Sequence, residues 1–150
     1  METKVITEKT VDSEKGTILF AKTIAPMIKT GDTILLYGAL GSGKTFLIRE
    51  IVKNLGMQDV VSSPSFSLIN QYYGKDFIIN HVDLYRINGE NELANLGLED
   101  FWQKPYINLI EWPQIIAPII DWAHYRIEIE TTGRSTTWRR FSFKNVNPGN

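Results

Sequence analysis

The sequence has no cysteine among its 150 residues. That excludes disulfides and thiolate metal sites, and it suits a reducing cytoplasm, where the chain is expected to work. No apolar run approaches the ~20 residues that cross a bilayer as a helix. The N-terminal METKVITEKT is polar and lacks the apolar core of a secretion signal, so no membrane partner is expected. A dominant charge is missing too: 16 Lys and Arg stand against 17 Asp and Glu, a formal net charge of -1. Proteins that grip nucleic acid unaided are usually basic, so tight direct binding of that kind is disfavoured. Internal repeats, low-complexity tracts and long linkers are also absent. What remains, 43% apolar and 22% charged, is the composition of an ordinary soluble globular protein. One domain over residues 1–144 is expected, with NVNPGN at 145–150 as a disordered tail.

Along the chain, VDSEKGTILFAKTIAPMIKTGD predicts a helix entered through Asp12 or Ser13 and ended or kinked at Pro26. TILLY is a short continuous apolar run ending at a glycine loop, the pattern of a buried strand. KTFLIREIVKNLG places Leu47, Ile48, Ile51, Val52 and Leu55 on one helical face, with Gly56 as its stop. FSLINQYY and FIINHVDLY flank GKD, a hairpin turn. ENELANLGLEDFW predicts one or two short helices, INLIEW another buried strand, and QIIAPII an apolar connection broken by Pro118. YRIEIE alternates as a half-exposed strand, and WRRFSF is the last strand. The fold class is α/β: a P-loop NTPase-like mixed sheet, parallel at its centre with antiparallel additions, flanked by helices. Strand order is not legible from these patterns.

Gly38-Ala39-Leu40-Gly41-Ser42-Gly43-Lys44-Thr45 fits G-x-x-x-x-G-K-[ST] in full. Gly41 and Gly43 let the backbone turn its N–H groups toward an anion, and the following helix adds its positive end. Gly38, Leu40 and Ser42 complete the cradle, Lys44 reaches the β- and γ-phosphates, and the Thr45 hydroxyl ligates Mg²⁺. A glycine turn that happened to carry Lys-Thr would match on the order of once in a few hundred such chains. The buried strand before the loop and the amphipathic helix after it lower that further. The expected ligand is a nucleoside triphosphate with Mg²⁺; for an ATPase or kinase it is ATP.

Chemistry on the phosphates needs a carboxylate at a neighbouring strand end, beside the metal or the attacking water. Asp83 ends FIINHV and Glu111 ends INLI, both at the edge where a parallel sheet gathers ligands. Any strand must reach solvent somewhere, but two such acids after a phosphate loop favour function. Ser63-Pro64-Ser65 reads as either an ordinary turn or a segment sensing the γ-phosphate, and on the residues alone the turn is preferred. His81 shares a face with Asp83 and is weighed as a hydrogen-bonded structural residue. Trp112 is weighed as core, and Arg134, Trp138, Arg139, Arg140 and Lys144 mostly as a solvated strand face.

Missing motifs narrow the job. No aspartate has glycine three residues on, so the D-x-x-G of Ras-like GTPases is absent. NHVD lacks the lysine of N-K-x-D, and no L-S-G-G-Q is present. A motor or helicase needs more chain. Two classes remain: a small P-loop kinase phosphorylating a metabolite, or an ATPase that regulates or drives a partner.

LYGALGSGKT, SPSF, HVDLYR, LGLEDF and IEWP, in that order, resemble the motif series of the TsaE (YjeE) family, the bacterial ATPases needed to make threonylcarbamoyladenosine in tRNA. The resemblance runs from about residue 10 to about residue 140. It implies an ATPase, slow alone, that acts with the TsaD and TsaB proteins and meets tRNA only through them. It makes Ser63, Pro64 and Ser65 a switch and Asp83 and Glu111 catalytic alongside Lys44. It also puts Glu111 with Thr45 at magnesium, and Ser13, Glu14, Gln114 and Arg134 near the nucleotide. Ala39 and Ser65 depart from the aspartate and threonine common in the family. Neither departure removes a phosphate or metal ligand.

Overall fold

The computed structural model describes residues 1–57 and 68–149. Its strands are β1 (Glu2–Val11), β2 (Thr33–Tyr37), β3 (Ile69–Tyr73), β4 (Ile78–Asp83), β5 (Tyr106–Glu111), β6 (His124–Thr131) and β7 (Arg139–Asn147). They form one sheet in the order β1-β7-β6-β2-β5-β4-β3. β6, β2, β5 and β4 run parallel to their neighbours, while β7, β1 and β3 are added antiparallel. The mixed sheet with a parallel centre is as expected.

Helices cover both faces of that centre, which is why TILLY is apolar without alternation. On one face α1 (Glu14–Ile24) and α2 (Lys44–Asn54) pack Phe20, Ile24, Leu47, Ile48 and Ile51 against Ile34, Leu36, Ile79, Leu109 and Ile127. The other face takes Leu35, Val82 and Ile110 against α3 (Glu90–Ala94) and the 3₁₀ turns at Leu98–Phe101, Pro113–Ile115 and Ala117–Ile119. Ser13 caps α1, its Oγ accepting from the Gly16 amide at 3.4 Å. After Ile24 the chain tightens into a 3₁₀ turn at Ala25–Met27 around Pro26. Gly56, at φ 95°, ends the α2 region. β3 and β4 form the expected hairpin, closed by the Gly74 amide donating to the Phe77 carbonyl at 2.8 Å.

One feature is unanticipated and another differs from expectation. The polar N-terminus is a ten-residue strand, β1, because β7 supplies a pairing edge and only Val11 needs burial. The expected tail at 145–150 is strand as far as Asn147. Val146 is 1% exposed and pairs with Thr3 on one side and His124 on the other, so its burial carries the strand past Lys144.

The order of strands brings the two acids to one edge of the sheet, beside the glycine loop. β5 lies between β2 and β4, so Glu111 pairs with Leu36 on one side and Asp83 on the other, just before the chain leaves β2 through Gly38.

Candidate functional site

The loop after β2 has the backbone its glycines allow. Gly41 and Gly43 have φ of 76° and 94°, and a Cβ on Gly38 would come within 2.6 Å of Ser42 Oγ. α2 begins at Lys44, with Gly43 in the cap position. Arg139, reaching across from β7, holds the loop from outside. Its Nε donates to the Ser42 carbonyl at 2.7 Å and its Nη2 to the Gly41 carbonyl at 3.2 Å.

Lys44 is buried, and among the described residues it forms no ion pair. Its Nζ donates to the Gly38 carbonyl and, at 3.4 Å, to that of Ala39, and it lies 3.7 Å from the Trp112 ring centroid. Burial pushes its pKa down, against the opposing pull of Glu111 and Asp83. Trp112 holds φ 54°, an uncommon backbone for a bulky side chain, and packs on Tyr85 with ring centroids 4.8 Å apart. A strained residue directly after Glu111 and over Lys44 belongs with the site.

The two acids stand side by side. Asp83 Oδ1 accepts from the Tyr85 amide at 2.9 Å. Burial raises the Asp83 pKa most; the Tyr85 hydrogen bond lowers it, and the neighbouring Glu111 raises it further. Glu111 is 3% exposed, and its Oε2 lies 2.6 Å from His81 Nε2. A pocket of about 330 Å³ is walled by the loop from Ala39 to Phe46, with Asp83, Glu111 and Trp112 closing it. Lys44 and Thr45 therefore share one cavity with both carboxylates. The cavity joins a buried cation, backbone at a helix start, a hydroxyl and two acids, which suits a polyanion and a hard cation.

A second pocket of about 210 Å³ lies on the other side of the loop, between Ser13, Glu14 and Thr17 of the α1 entrance and Thr136, Thr137 and Arg139. Ser42 and Gly43 line both pockets. Ser13 and Glu14 thus line a hollow beside the loop, whereas Gln114 and Arg134 line neither of these two pockets. Gln114 lines a separate hollow behind Trp112 with Tyr85 and Ile115. Arg134 is exposed in the β6–β7 turn and lines none of these pockets. Ser63, Pro64 and Ser65 lie outside the described residues. Sequence reasoning undervalued Trp112, His81 and Arg139. The position of Trp112 next to Glu111 was a usable signal, whereas Arg139 is 97 residues from Ser42 and only the sheet order brings them together.

Residues 11–140 match the family described as threonylcarbamoyl adenosine biosynthesis protein TsaE. The Rickettsia typhi protein named tRNA threonylcarbamoyladenosine biosynthesis protein TsaE is 43% identical over 112 residues, 74% of this chain and 77% of that protein. The Bacillus subtilis protein of the same name is 33% identical over 125 residues, 83% of this chain and 77% of that one. The crystal structure of Bacillus subtilis YdiB has a TM-score of 0.76 at 25% identity, over 97% of this chain and 87% of that one.

Proposed function

The chain belongs to the TsaE family, and from that premise we propose that it is the magnesium-dependent, ATP-hydrolysing subunit of the machinery that makes threonylcarbamoyladenosine in tRNA. The observation that carries the reading is Lys44. It is a buried cation with only neutral partners among the described residues, and it faces two carboxylates across an open pocket. Among the described residues no acid closes to ion-pair distance on this buried charge, which is costly, and a phosphate in the pocket would supply that contact.

The donor set fits magnesium. That ion binds through one or two protein oxygens, waters and substrate phosphates rather than in an all-protein cage. Among the described residues no group of three or more His, Cys, Asp or Glu forms such a cage, while Thr45 and Glu111 line the pocket. Thr45 and Glu111 would hold the metal, which when bound withdraws charge from the phosphate oxygens. Lys44 gives up the Gly38 and Ala39 carbonyls for the β- and γ-phosphates. Asp83 orients the attacking water and takes its proton. Ser13 and Glu14 bound the side of the loop where the nucleoside lies; Gln114 and Arg134 take no part in this assignment.

Hydrolysis alone is expected to be slow, because P-loop NTPases lacking a stabilising arginine finger can run ~10³–10⁵ slower. Arg139, which touches the loop, is engaged by loop carbonyls. TsaD and TsaB are the proposed partners, with threonylcarbamoyl transfer belonging to TsaD and tRNA met only through the complex. ATP should tighten the assembly as the assembly speeds hydrolysis, since coupling between binding events is reciprocal.

The test measures ATP·Mg²⁺ binding by calorimetry for the parent and Lys44→Ala, and phosphate release with and without purified TsaD–TsaB. Binding lost in the variant and release stimulated by the pair are expected. Affinity unchanged within about twofold in Lys44→Ala would remove the nucleotide assignment. A phosphorylated metabolite in place of free phosphate would make the chain a kinase.

A further inference from the structure

His81 Nε2 lies 2.6 Å from Glu111 Oε2, and both side chains are almost wholly enclosed, at 0% and 4% exposure. The contact is diagonal across β4 and β5: His81 pairs with Leu109, so Glu111 is two residues further along the same face. Among the described residues His81 is the one hydrogen-bond partner of the Glu111 carboxylate, and Nδ1 of His81 is buried without a partner. A proton on Nδ1 would leave an orphan N–H, which proteins avoid more strictly than an unused lone pair. The ring therefore carries its proton on Nε2 and donates it to Glu111. Glu111 lines the pocket and His81 does not.

We propose that His81 is a positioning residue: it fixes one oxygen of Glu111 so that the other is the oxygen offered to the metal beside Thr45. A histidine kept only for packing would be as well served by an apolar residue in so enclosed a place. One kept for polar cohesion would use both nitrogens, as the amides elsewhere on these strands use both ends. His81 spends its single polar contact on the carboxylate at the ligand edge. Partners of this kind, standing behind a ligand, typically change metal affinity 10–100-fold when removed. The inference rests on the nucleotide-site reading above.

The test uses His81→Gln, whose amide nitrogen reaches the place of Nε2, and His81→Asn, whose amide stops near Nδ1 and falls short of Glu111. ATP binding to the full chain is titrated at rising Mg²⁺ and again in EDTA, with melting temperature measured alongside. His81→Asn is expected to raise the Mg²⁺ concentration for half-maximal binding about tenfold or more. His81→Gln should return it to within about threefold of the parent, with EDTA affinity alike in all three proteins. The Asn change should add little on a Glu111→Gln background, because it acts through that carboxylate. An unchanged Mg²⁺ requirement in His81→Asn, or Asn and Gln variants that behave alike, overturns the proposal. A parent that binds no ATP at any Mg²⁺ concentration overturns the nucleotide-site reading, and this proposal with it.

Discussion

Two rows of polar groups, each centred on buried residues, cross the same strands three residues apart, and they are built on opposite principles. In the first, Gln71 Nε2 donates to Asn80 Oδ1 at 2.8 Å, and Asn80 Nδ2 to Asn108 Oδ1 at 2.9 Å. Asn108 Nδ2 donates in turn to the Phe101 carbonyl at 2.7 Å. Asn80 and Asn108 are register partners on β4 and β5. Every group in that row is neutral and answered. In the second row Asp83 and Glu111 are register partners on the same two strands. Here two carboxylates face each other, the nearby cation is turned onto carbonyls, and a histidine nitrogen is left without a partner. Satisfied amides fix which strand lies beside which and in what register, since an unpaired buried group is expensive. Under the proposed function a ligand would complete the charge left unpaired at this edge. Burial alone does not separate a structural polar residue from a functional one; the state of its partners does.

The largest effect that would sharpen this contrast lies in the charged row. Glu111→Gln and Asp83→Asn are each expected to lower ATP hydrolysis by ~10²–10³ while the protein stays folded. Phosphate-release rates and melting curves check this, and parental rates in both variants would break the distinction. The mirror experiment is Asn108→Ala. It strands the Asn80 amide and the Phe101 carbonyl, at a cost of about 1–3 kcal/mol each. At this chain length that shifts the melting midpoint by roughly 2–4 °C per kcal/mol, and calorimetry should find ATP affinity within twofold of the parent.

Arg139→Met tests a link that belongs to neither row. It releases the Ser42 and Gly41 carbonyls and should weaken ATP about tenfold, or about 1.4 kcal/mol, with the Mg²⁺ requirement unchanged. The smallest expected effect concerns pH. Burial raises the Asp83 pKa above its ordinary 3.8. The base is needed ionised, so hydrolysis should rise with pH through that raised value, and the acid limb should sit above 3.8. The same shift means that the folded protein holds this proton more tightly than the unfolded chain does. Asp83 therefore disfavours folding increasingly as pH rises past its ordinary 3.8, and in full once pH exceeds the raised value. Asp83→Asn should melt at or slightly above the parent near neutrality and lose the limb; a parental limb in that variant would assign it to another group.

By itself the sequence determined the local pieces. The spacing of glycines with Lys44 and Thr45 defined the glycine loop and its helix start, because that backbone geometry needs those residue types at those places. Apolar periodicity defined α1, α2 and the buried strands, because a segment covered on both faces shows no alternation. Asp83 and Glu111 were legible because each ends such a strand. Tertiary structure decided what depends on partners far along the chain. β1 and the last residues of β7 carry little apolar signal of their own, and pairing across the sheet makes them strands. The insertion of β5 between β2 and β4 puts the two acids together beside the loop. That order also brings His81 onto Glu111 and Arg139 onto the loop carbonyls, and leaves Gln114 and Arg134 outside. Local pattern reports how a segment meets water and its nearest neighbours; which segments become neighbours is set by burying all of them at once.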